Sequence, residues 1–198
     1  MRAAARVFAE TGYRGATTRR IAQEADVNEI TLFRHFGSKD DLIREAIQYA
    51  GVEAELPRLP EEPQSPREEL TEWCRAHLTR LYEVRSMIRT CMGESVERPE
   101  MTGPGTGRPV RVKAELRNYL VRLQERRMAA PEFDVDVASA MLMGSLFTDA
   151  MGRDLMPECY PYGLEEAPAK YVELFLRAIG ARASKTHPTS TSSRSRTT

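Results

Sequence analysis

At 198 residues, 41% of them hydrophobic, the chain can fill one core of moderate size or a small head joined to a larger body. Lysine plus arginine and aspartate plus glutamate number 29 each, which excludes a global positive field that would draw the protein onto nucleic acid or anionic lipid. Any nucleic-acid binding must come from a few placed groups. No apolar run approaches the roughly 18 residues of a membrane helix and the N-terminus lacks the apolar core of a signal peptide, so a cytoplasmic protein with no membrane partner is expected. Cys74, Cys91 and Cys159 stand far apart, with no Cys-x-x-Cys pair and no histidine at ligand spacing, so reduced thiols with no metal and no cofactor are expected, and thiol sensing is the alternative. No nucleophile and base pairing or glycine-rich phosphate loop points to an enzyme.

Apolar residues recur at three- and four-residue spacing along most of the chain, and strand-like alternation never runs far, so an all-α fold is expected. Ala4, Val7, Phe8 and Thr11 share one face of a first helix over residues 2 to 11, which Gly12 ends. That helix begins almost at Met1, so it is either short, without a basic N-terminal arm, or starts upstream. Thr17 or Thr18 caps a second helix to about Ala25, with Ile21, Ala22 and Ala25 turned inward, and Asp26 and Val27 form a tight turn. Asn28 caps a third helix over 29 to 36, where Leu32 and Phe36 face the core and Gly37 closes it. Ser38-Lys39-Asp40-Asp41 opens a fourth helix with the apolar stripe Leu42, Ile43, Ala46 and Ile47.

From 51 to 66 the composition turns to Glu and Pro, and Pro57, Pro60, Pro63 and Pro66 forbid a regular helix interior. Beyond this boundary helices are predicted at roughly 67 to 85, 86 to 98, 108 to 129, 134 to 153 and 166 to 180, with loops at 101 to 109 and 157 to 163. The tail from 183 to 198 is Ser, Thr and Arg with almost nothing apolar and is expected to be disordered. The expected units are thus a three-helix head within residues 1–48 and a larger helical body at 67–181.

Thr17 to Phe36 reads as a helix, a sharp turn and a second helix of about two turns, the geometry that presents a recognition helix to the DNA major groove. With Leu32 and Phe36 in the core, Asn28, Glu29, Ile30, Thr31, Arg34 and His35 are left for solvent or DNA. Ile30 suits a thymine methyl, Asn28 and Thr31 can bond base edges, and Glu29 can accept from cytosine. Thr17, Thr18, Arg19, His35 and Lys39 flank this helix as phosphate contacts, and the N-terminus of the fourth helix reinforces Lys39. Taken singly, Thr17 and Ser38 can be caps alone, His35 a surface residue, and Arg19 and Arg20 a solvated pair.

Phe8-Ala9-Glu10-x-Gly12-Tyr13, Thr17-Thr18, Ile21-Ala22 and Leu32-Phe33-x-His35-Phe36-x-Ser38-Lys39-x-x-Leu42 resemble the DNA-binding head of the TetR family of bacterial repressors, over about residues 2 to 48. The resemblance implies a head of three helices, a fourth helix linking it to a ligand-binding body, and a four-helix bundle between subunits built from the last two helices. By motif position it implies phosphate contacts at Thr17 or Thr18 and at Lys39, with Asn28, Glu29 and Thr31 toward bases. Three positions depart from the family: Asp26 stands where the turn usually has Gly, Phe33, within the same face, stands where Tyr is common, and Ile30 replaces the usual Gly or Pro.

In the body, residues 134 to 153 and the last helix are apolar on more than one face, which predicts a two-fold homodimer through Met141, Leu142, Ser145, Leu146, Tyr171, Leu174, Phe175 and Ala178, with core helices of a monomer as the alternative. Trp73, His77, Met87, Cys91, Tyr119, Met143 and Phe147, with Tyr82 and Met92, supply the aromatic and thioether surface of a cavity for an apolar or amphipathic small-molecule effector, and equally that of an ordinary helical core. The arginines from 108 to 127 read as a solvated face. The expected function is a ligand-responsive regulator that binds double-stranded operator DNA, a repressor released by its effector; the alternative is a TetR-like activator or chromosome-organising factor acting through a protein partner.

Overall fold

The computed structural model describes residues 1–52, 56–98 and 107–181, and among them every regular element is helical. The helices run α1 (Arg2–Gly15), α2 (Thr18–Glu24), α3 (Glu29–Phe36), α4 (Lys39–Val52), α5 (Pro66–Glu83), α6 (Arg85–Glu97), α7 (Gly107–Glu125), α8 (Val135–Gly152) and α9 (Ala167–Ala178). A short 3-10 turn, Pro157–Cys159, lies between α8 and α9. The tail from 183 to 198 and most of the 101 to 109 loop lie outside the described residues.

Local chemistry sets the boundaries in the head. Gly12, at φ 68°, interrupts α1 where the sequence predicts its end, and one further turn carries the helix to Gly15. Thr17 is the α2 cap, accepting from the Arg20 N–H, and Asn28 caps α3 by accepting from the Ile30 N–H at 2.8 Å. Between them Asp26 adopts φ 51°, the left-handed conformation that an aspartate in place of glycine must accept. Ser38 accepts from the Asp41 N–H at the start of α4 and donates its own hydroxyl to the Asp41 carboxylate. Ala4, Val7 and Phe8 of α1, Ala16, Ile21 and Ala22, Leu32 of α3, and Leu42, Ile43 and Ala46 of α4 close into one core.

A second core joins α5, α7, α8 and α9 around Leu70, Trp73, Cys74, Leu78, Leu116, Tyr119, Leu120, Leu123, Leu142, Leu146, Val172 and Phe175. Leu59, in the proline-rich linker, is buried against it, and its N–H donates to Glu115 at 2.8 Å. Pro66 is itself the first residue of α5, as proline at a helix start allows, and Glu69 accepts from the N–H groups of Gln64 and Ser65 before it. α7 ends at Glu125, before the predicted 129, because Arg127 turns left-handed at φ 58° and the Met128 N–H returns to the Leu123 carbonyl. At the far end of α8, the fully buried Asp149 forms a bidentate pair with Arg153, Nε to Oδ1 at 2.7 Å and Nη2 to Oδ2 at 2.8 Å, and accepts from the Tyr171 hydroxyl.

α6 bridges the two cores. Its first turns reach α8 through Arg85 and Arg89, which both donate to Asp154 and hold that carboxyl well below the usual carboxylate range. Its remainder lies along α1: Met87 enters the head core, Thr90 donates to the Ala9 carbonyl at 3.0 Å, and Glu94 accepts from the Tyr13 N–H at 2.7 Å. The last bond occupies the break at Gly12, where a Cβ would stand 2.9 Å from the same Glu94 oxygen. Glycine is therefore needed there for its backbone angle and for room.

Candidate nucleic-acid interface

α3 is two turns long and anchored by Leu32, which is buried, and Phe36, which is half-buried. Opposite them Asn28, Ile30, Phe33, Arg34 and His35 are exposed, while Glu29 and Thr31 are half-buried. Ile30 is 75% exposed and Phe33 48%. A protein gains nothing by holding two large apolar side chains in water on so short a helix, so this face is shaped for contact. Thr17 and Arg19 at the start of α2 are exposed, and Thr18 is half-buried.

Two expected contacts are changed by the geometry. The Thr18 hydroxyl donates to a Glu29 oxygen at 2.6 Å, so these side chains are spent on each other and lock α2 to the start of α3. Glu29 is thereby a brace more than a reader of cytosine, and Thr18 has given its proton away from any phosphate. Asn28 keeps its amide N–H groups for a base edge, because capping uses only its oxygen.

Lys39 is the first residue of α4, half-buried, with its ammonium 4.2 Å from the centre of the Tyr13 ring. Burial lowers its pKa from the ordinary lysine value, and the charge of Arg98 lowers it further, against Asp40 and Glu94. The Tyr13 hydroxyl donates to Asp40, which, with burial, raises the phenol above its ordinary value. Tyr13 sits within the quoted motif, but nothing local marks Arg98, which arrives from 85 positions away.

The body corrects two expectations. The seven candidate cavity residues do not converge: Met87 and Cys91 pack on the head core, while Trp73, His77, Tyr119 and Met143 belong to the body core and Phe147 is half-buried on α8. Trp73 and Tyr119 are buried and tied down, Trp73 Nε1 to Glu115 at 3.1 Å and the Tyr119 hydroxyl to Glu69, and the centre of the Trp73 ring lies 4.0 Å from that of His77. Two clefts open among other residues: a mostly polar one of about 430 Å³ between Thr11, Arg14, Thr90 and Glu97, and a mostly apolar one of about 660 Å³ along Leu56, Pro57, Arg75, Ala76 and Thr79. Burial pushes the Cys74 thiol up to about 12 and the Cys91 thiol up to about 11, which makes both poor nucleophiles. Among the described residues no group of His, Cys, Asp or Glu could hold a metal ion, and no helix is long and apolar enough to cross a membrane.

Of the expected dimer residues, Leu142, Leu146 and Phe175 are turned into their own core and Tyr171 donates to Asp149, so these four hold the protomer together. Met141, Ser145, Leu174 and Ala178 are exposed, and Val137, Ala140 and Gly144 extend the same stripe of α8. Because α8 is apolar on every side, its inward and outward residues could be sorted only once the packing was known.

An exposed two-turn helix with an apolar tip, set by a capped turn on a small core and joined to an all-helical body, defines a helix-turn-helix DNA-binding transcriptional regulator. Residues 1–46 match the family described as bacterial regulatory proteins, tetR family. The body agrees: PfmR, a TetR family transcriptional regulator from Thermus thermophilus, is 26% identical with a TM-score of 0.63 over 89% of this chain and 96% of that one. A transcriptional regulator from Rhodococcus sp. Rha1 superposes with a TM-score of 0.70 at 20% identity, over 91% and 96% of the two chains. The fatty acid degradation regulator FadR from Bacillus halodurans does so with 0.65 at 22%, over 91% and 94%. Comparison with curated protein sequences gives no match. The head of this chain thus matches the tetR family, and the chain as a whole has the fold of TetR family transcriptional regulators.

Proposed function

We propose that the chain is a cytoplasmic homodimeric repressor, without catalytic activity, which an apolar or amphipathic small molecule releases from its operator. The observation that carries the DNA-binding half is Ile30, 75% exposed at the start of a recognition helix whose opposite side is anchored by Leu32. Residues 1–48 act as the DNA-binding unit and 67–181 as the ligand-binding and dimerisation unit. Asn28, Ile30, Thr31 and Arg34 face base edges, while Thr17, Arg19, His35 and Lys39 meet phosphates. Trp73, His77 and Tyr119 are buried in the body core, so an effector reaches them by displacing side chains, as an apolar ligand can among aromatic and thioether groups. FadR from Bacillus halodurans is a regulator of fatty acid degradation, which makes acyl compounds the first effectors to try.

Selection of duplexes from a random library gives the test. The protein should enrich a two-fold symmetric sequence, and a panel of long-chain acyl carboxylates and thioesters should include one that weakens its binding by about 5- to 150-fold. Enrichment of no sequence overturns the reading of the head, and a preferred duplex whose affinity no acyl compound alters removes the acyl effector.

Dimerisation through the exposed stripe predicts that Leu174→Glu, at a position 70% exposed, yields a folded monomer by light scattering, with helical content retained by circular dichroism. A dimer of unchanged mass would place the interface elsewhere.

A further inference from the structure

We infer that Arg98, at the end of body helix α6, is a DNA phosphate contact that acts beside Lys39, the two cations both packing on the Tyr13 ring. The inference rests on the proposal that the head docks on DNA. The Arg98 guanidinium carbon lies 4.1 Å from the centre of the Tyr13 ring, and the Lys39 ammonium lies 4.2 Å from the same point. Two cations on one ring repel each other, and the aromatic face only partly compensates.

The neighbouring carboxylates offset only part of this charge, since burial and Arg98 together outweigh Asp40 and Glu94 at Lys39. Asp40 accepts from the Tyr13 hydroxyl and Glu94 from the Tyr13 backbone N–H, so both carboxylates are oriented toward Tyr13. Among the described residues neither Lys39 nor Arg98 has a carboxylate oxygen within ion-pair distance, whereas Arg14, four positions before Thr18, is paired with Glu97. Among the described residues the site thus presents two half-exposed cations without an ion pair beside the first turn of α4, immediately after the recognition helix. The DNA backbone fits this arrangement: one phosphate oxygen for the ammonium, with the positive end of α4 beneath, and another on the same or the adjacent phosphate for the guanidinium fork. The anion would also offset the Arg98 charge, which after burial lowers the Lys39 pKa.

The full-length protein is titrated with a selected duplex and with a random-sequence duplex across a potassium chloride series, as wild type, Arg98→Ala, Arg98→Lys and Lys39→Ala. Arg98→Ala should weaken both duplexes by the same factor and lower the slope of log affinity against log salt by about 0.9 for each copy of the residue at a phosphate. Arg98→Lys should keep the wild-type slope. An unchanged slope in Arg98→Ala overturns the inference whether or not affinity falls, because an arginine that merely seats α6 on α1 would change affinity without releasing a counterion. Failure of the underlying reading looks different: wild type then binds neither duplex, or Lys39→Ala leaves the slope untouched.

Discussion

Arg153→Met should destabilise the folded protein by about 3–5 kcal/mol, read as a lower urea midpoint at fixed protein concentration with an unchanged slope. The reason is Asp149, whose side chain is wholly buried and whose two oxygens both receive the Arg153 guanidinium. The Tyr171 hydroxyl adds one hydrogen bond, which is too little for an ion with no access to water. Removing the arginine leaves that charge inside α8 without a counter-ion. The double variant Asp149→Leu/Arg153→Met should recover much of the loss, since replacing both members of a buried pair by apolar groups is often close to neutral. A loss below about 1 kcal/mol in the single variant, or a double variant no better than the single one, would show that water reaches Asp149 and that the pair is not structural in this sense.

The head was legible because its determinants are local. Caps, left-handed residues and turn lengths act within four or five positions, so Gly12, Thr17, Asn28, Gly37 and Ser38 could each be read from their neighbours, and the structure places the helix ends beside them. The contacts that modify the site are long-range and left no such trace. Glu29 was offered to cytosine because Thr18, eleven positions earlier, is not visibly its partner until α2 and α3 cross. Arg98 and Tyr13 meet only because α6 lies along α1. In the body the limit was different. An amphipathic helix announces its inner face, but α8 is apolar all round, so the sequence could not separate Leu142 and Leu146, which face inward, from Met141 and Ser145, which face out. Met87 and Cys91 show a related limit: α6 serves the head core as much as the body, and its composition does not say which.

Within the head, Lys39→Ala and Thr31→Ala should damage DNA binding in different ways. Thr31 is half-buried in the first turn after the Asn28 cap, next to Ile30 on α3, and its hydroxyl and methyl are the size to meet a base edge. Thr31→Ala should therefore cost on the order of 1–3 kcal/mol per half-site on the selected duplex and far less on random DNA, with no change in salt dependence. Over two half-sites of a dimer this is the largest loss of specific affinity expected from any single substitution in the head. Lys39→Ala should weaken both duplexes alike and reduce the salt slope by about 0.9 per half-site, because it removes a phosphate neutralisation that carries no sequence information. The structure also separates these two from Glu29. Thr18→Val takes the proton donor from Glu29, so it should loosen α2 on α3 and weaken specific binding without touching the slope. Affinity on both duplexes across the salt series distinguishes the three. If Thr31→Ala and Lys39→Ala lower both affinities by the same factor and change the slope equally, α3 does not lie in the major groove with its apolar tip toward the bases, and the orientation of the head on DNA must be drawn anew.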